Sequence, residues 1–94
     1  MNKLNTALLL TSLLVATQAG TALASPTCTT EPKSEWLSEE AMRQKIDAMG
    51  YKDIRVFHLT SSNCYEIYGR NAAGKKAEVY FNPVDGSIVE ANED

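Results

Sequence analysis

The run Cys64-Tyr65-Glu66-Ile67-Tyr68-Gly69-Arg70-Asn71-Ala72-Ala73-Gly74-Lys75-Lys76-Ala77-Glu78-Val79-Tyr80-Phe81-Asn82 decides the fold. Tyr65 and Ile67 alternate with Cys64, Glu66 and Tyr68; after the turn signal Asn71-Ala72-Ala73-Gly74, Ala77, Val79 and Phe81 alternate with Lys76, Glu78 and Tyr80. A period of two on both sides of a glycine-bearing turn is a hairpin, because successive strand side chains point to opposite faces. Strands are expected over residues 64–70 and 75–82. Tyr65, Ile67, Val79 and Phe81 then form an apolar face fit for a core, and Glu66, Tyr68, Glu78 and Tyr80 form a face that tolerates water.

On either side of the hairpin the pattern continues. Residues 53–59 are rich in β-branched and aromatic side chains and lead into the turn Thr60-Ser61-Ser62-Asn63. Pro83-Val84-Asp85-Gly86 is a turn, residues 87–90 a short final strand, and Asn92-Glu93-Asp94 a tail expected to fray. Upstream, a helix is expected over 39–49. Ser38 caps it, Glu39 and Glu40 complement its dipole, Leu37 staples onto Met42, and Gly50 ends it. Met42, Ile46 and Met49 recur on one side, the stripe that would face the sheet. Connections of about four residues make neighbouring strands antiparallel. The expected class is α+β, one amphipathic helix packed on a three- to four-stranded antiparallel sheet.

The N-terminal segment is read as a processing signal. Lys3 precedes an apolar run over residues 7–16, and Ala22-Leu23-Ala24 presents small residues at a cleavage position. The run is shorter than the roughly 17 to 25 residues of a membrane span. A signal peptide over residues 1–24 is expected, then a polar arm over 25–35, a domain over 36–91, and the tail. The remainder carries eight basic and twelve acidic side chains, a net −4, which offers no footprint for nucleic acid or anionic lipid. No cofactor motif is present in the sequence, and two cysteines with one histidine fall short of a zinc set.

Export places Cys28 and Cys64 where disulfides persist. Their pairing would close a loop of 37 residues, which the chain-entropy model values at about 3–4 kcal/mol. A redox role is disfavoured, because the close spacing that lowers a thiol pKa is lacking. His58 has no evident partner along the chain and reads as a structural strand histidine, and Glu66 and Glu78 read as solvated charges on adjacent strands. No catalytic residue is assigned. The candidate interface residues are Trp36, Glu66, Tyr68 and Tyr80, with packing onto the arm as the competing role of the tyrosines and closure of the helix end as that of Trp36.

Together, Trp36-Leu37-Ser38, Gly50-Tyr51, Tyr65-Glu66-Ile67, Gly74, Glu78-Val79-Tyr80-Phe81-Asn82-Pro83 and Asp85-Gly86-Ser87-Ile88-Val89 resemble the PepSY domain over about residues 36–90. Asn82 stands where many members carry aspartate. The resemblance implies a peptidase-propeptide-like role and supplies no catalytic residue. A stand-alone exported chain of this kind would be a protein-binding inhibitor or modulator of a peptidase acting in trans, in the periplasm or secreted. The alternative is an accessory or sensory module for an envelope membrane protein.

Overall fold

The computed structural model describes residues 25–94. The expected signal peptide, residues 1–24, lies outside the described residues. The domain has one helix, α1 (Glu39–Ala48), and four strands, β1 (Lys52–Leu59), β2 (Tyr65–Arg70), β3 (Lys76–Phe81) and β4 (Ile88–Glu93). The strands pair antiparallel in the order β1-β2-β3-β4, a meander that leaves β1 and β4 as edges. The α+β class stands, with four strands.

Helix α1 starts where its cap dictates: the Ser38 Oγ accepts from the Ala41 N–H at 3.1 Å. Gly50, at φ 93°, ends it in the left-handed region. Met42 and Ile46 are buried with Tyr51, Ile67, Ala77, Val79 and Phe81, and Leu37, Ile54, Phe57 and Tyr65 close the rim. Tyr51 meets Phe81 edge-on at 6.0 Å between centroids, and Phe57 stacks on Tyr65 at 5.0 Å. Each large apolar side chain sealed here contributes about 1.5–3 kcal/mol. Met49 departs from the expected stripe and is exposed. It lies beyond the last helical residue, where Gly50 has already begun to turn the chain away.

The register of β1 slips between Lys52 and Val56, around Asp53 with φ 52°. Gly69 faces this bulge: a Cβ there would lie 2.8 Å from the Lys52 carbonyl oxygen and 2.9 Å from the Ile54 Cδ1. Only glycine lets the two strands approach so closely.

Two expectations are corrected. Asn92 and Glu93 belong to β4 rather than to a frayed tail. The Glu93 carboxylate accepts from the Tyr51 hydroxyl at 2.8 Å and the Asn71 Nδ2 at 2.6 Å, and the Asp94 N–H donates to the Lys76 carbonyl at 3.0 Å. The arm, expected to lack any element, contains a 3-10 turn over Lys33–Glu35. After it, the Trp36 Nε1 donates back to the Glu31 carbonyl at 3.0 Å. The arm is fixed by the Cys28–Cys64 disulfide, by the Cys28 N–H donating to the Ser62 carbonyl at 3.2 Å, and by the Asn63 Nδ2 donating to the Thr29 carbonyl at 3.4 Å.

Candidate functional site: the open face of the sheet

The strand registers place the residues of the uncovered face in rows. The row nearest the disulfide is His58, Glu66, Tyr80 and Glu90; the next is Val56, Tyr68, Glu78 and Asn92; the last includes Lys52, Arg70 and Lys76. The first two rows are joined by hydrogen bonds across three strands. The His58 Nε2 bonds the Glu66 Oε1 at 2.7 Å, and the Glu78 Oε2 accepts from the Tyr68 hydroxyl at 3.0 Å and the Tyr80 hydroxyl at 2.9 Å.

The arm changes the electrostatics of this network. Cys28, Cys64 and Tyr80 form a small apolar cluster of their own, so the arm roofs the first row. Glu66, expected to be solvated, is only 7% exposed. Burial pushes its carboxyl up, but the polar groups around it, with the His58 ring bonded to it at 2.7 Å, outweigh that and hold it below the ordinary carboxylate value. Burial, together with bonding to Glu78, pushes the Tyr80 hydroxyl up to about 12. The Tyr68 hydroxyl is pushed up to about 12 chiefly by its bond to Glu78. The polar groups of this network satisfy one another, a pattern that orders side chains rather than activates one of them. Among the described residues, no group of three or more His, Cys, Asp or Glu side chains is placed to hold a metal ion.

Beyond the roofed row the face opens into a hollow of about 360 Å³ lined by Arg55, Tyr68, Arg70, Lys76, Glu78 and Asn92 among others. Tyr68 stands at this hollow with 45% of its surface exposed. Its hydroxyl is tied to Glu78, so the ring is presented in one orientation.

The four candidate interface residues do not form one patch. Trp36 lies against Tyr65 on the helix side, in an edge contact at 6.3 Å between centroids, and is half-buried. Glu66 and Tyr80 lie on the open face but are buried, Tyr80 in a cluster with the arm's Cys28, and Tyr68 is the exposed aromatic residue of that face. His58, read as partnerless, has a partner in Glu66 directly opposite across the hairpin. The turn at 60–63 contained that signal, since a hairpin turn fixes which residues face each other. The basic row of Arg70 and Lys76 was equally available from the register of the second hairpin.

The fold and this face define a small, disulfide-pinned α+β domain. Residues 7–92 match the family described as peptidase propeptide and YPEB domain, and the chain belongs to that PepSY family. Domains of this family are generally non-catalytic and linked to peptidase propeptides or inhibition. No curated protein and no solved structure matches the chain. The disulfide fits an oxidising compartment, and among the described residues no helix is long and apolar enough to cross a membrane.

Proposed function

We propose that this chain is a non-catalytic, exported protein-binding domain that restrains or modulates a peptidase in trans through the open face of its sheet. The observation that carries the reading is Tyr68, exposed at the hollow and oriented by Glu78 before any partner arrives. An aromatic ring already held in place is the kind of residue that dominates interface energetics, because little side-chain entropy remains to be lost on binding. Family membership supports the peptidase as partner, and the disulfide supports export to the periplasm or beyond.

The test is a pull-down of the tagged, oxidised protein from an envelope extract of its own cell, followed by inhibition kinetics on any peptidase recovered. Recovery of a peptidase whose activity falls on adding the protein is expected. Recovery of an envelope membrane protein with no peptidase would replace this reading with that of an accessory module.

A further inference from the structure

The two edges of the sheet differ. In β1 the ladder is broken by the bulge at Asp53, and Arg43 sits over Phe57 with its guanidinium 4.0 Å from the ring centroid. A bulged, charged edge is a poor template for another strand. In β4 the register slips once, beside Phe81, and then runs unbroken from Glu90 to Glu93. The Asp94 N–H bonds the Lys76 carbonyl, so the alternation of an antiparallel ladder turns the N–H and C=O groups of Ala91 and Glu93 away from β3. These groups form an open row along the edge.

Side chains specify what would fit there. Ile88 and Val89, at the start of β4, are 45% and 42% exposed, and Ala91 is exposed as well. From Ser87 to Asp94 the charges are Glu90, Glu93 and Asp94, with no basic residue. Two copies meeting through this edge would set carboxylates against carboxylates, which disfavours a dimer. The strand is also fixed in advance, because Tyr51 and Asn71 hold Glu93 and Lys76 holds Asp94. Less ordering free energy is then lost when a partner adds to it.

We infer that β4 is a docking edge for an extended segment of a partner protein, one that alternates apolar with lysine or arginine side chains and extends the sheet as a fifth strand. This surface is the edge of the sheet, bordering the open face along Glu90, Asn92 and Asp94, and it rests only on the reading of the chain as a protein-binding module. Main-chain bonds to Ala91 and Glu93 would supply affinity, with apolar contact at Ile88 and Val89 and charge pairing at Glu90 and Asp94 supplying selectivity.

The experiment is amide-resolved NMR titration of the oxidised protein with a synthetic peptide alternating valine with lysine, against the same peptide with glutamate in place of lysine. Shifts are expected over Val89–Asp94 with the basic peptide only. Ala91→Pro removes an outward N–H without touching the β3 ladder, and should weaken that binding at least about tenfold while the remaining spectrum is preserved. Glu90→Lys, which leaves the backbone row intact, should weaken the basic peptide and strengthen the acidic one. Shifts confined to β2 and β3, equal binding of both peptides, no binding at millimolar peptide, or a concentration-dependent dimer through β4 would each overturn the inference. Tyr68→Ala should leave the peptide titration unchanged, which separates a failure here from a failure of the open-face reading.

Discussion

On the helix side of the sheet Ile67, Val79 and Phe81 are completely buried, while one residue along the same strands Tyr68 leaves 45% of its surface in solvent. The helix side is sealed chiefly by apolar contact, among Met42, Ile46, Tyr51 and the strand residues beneath them. The other side is ordered by hydrogen bonds among His58, Glu66, Glu78, Tyr68 and Tyr80, and only half of it is roofed, by an arm that a disulfide holds down. The difference teaches where each property resides. Stability should be concentrated on the dry face, and mutations of the open part of the wet face should leave the fold alone and change what the protein binds.

The largest effect should follow Phe81→Ala, which empties the middle of the dry face and should cost about 3–5 kcal/mol by urea unfolding. A loss below about 1 kcal/mol would mean that the two faces do not differ in this way. Next comes the roof. Cys28→Ser and Cys64→Ser should each remove about 3–4 kcal/mol from the oxidised protein while β2 and β3 stay paired, as read by denaturation and amide exchange. Unchanged melting in both variants would remove the arm from the stability of the wet face.

Within the wet face the effects become smaller and depend on pH. His58→Ala leaves the shielded Glu66 carboxylate short of a partner and should cost about 1 kcal/mol near neutral pH. The folded-state pKa of Glu66 lies below its unfolded value, so its contribution is present above the ordinary carboxylate range and is lost as pH falls through the folded value. Melting temperature followed from about pH 7 to about pH 3 should therefore fall less steeply in Glu66→Gln than in the native protein. Parallel profiles would show that other carboxylates govern the acid limb. The smallest stability effect should come from Tyr68→Ala, within about 0.5 kcal/mol of the native protein.

Much of this contrast could be read from the sequence, because a strand period of two assigns faces without any tertiary information. Tyr65, Ile67, Val79 and Phe81 fell on the helix side, and Glu66, Tyr68, Glu78 and Tyr80 on the other, as the alternation predicted. Three features depended on non-local contacts. Glu66 is buried in the row where the arm meets Cys64 and Tyr80, and the strand's own pattern does not reveal the path of a segment 38 residues upstream of Cys64. The last strand extends through Asn92 and Glu93, residues of low β-propensity, because Tyr51 and Asn71 bind the Glu93 carboxylate. The bulge at Asp53 is accommodated by Gly69, whose missing side chain matters only once the two strands lie side by side.

The division between the faces is tested most directly by measuring, on one preparation of Tyr68→Ala, both its melting temperature and its affinity for the protein recovered in the pull-down. The melting temperature should stay within about 2–4 °C of the native value while the affinity falls at least tenfold, to the roughly 1.4 kcal/mol or more expected of an interface anchor. Native affinity in a normally folded variant would contradict the assignment of the open face as the binding surface.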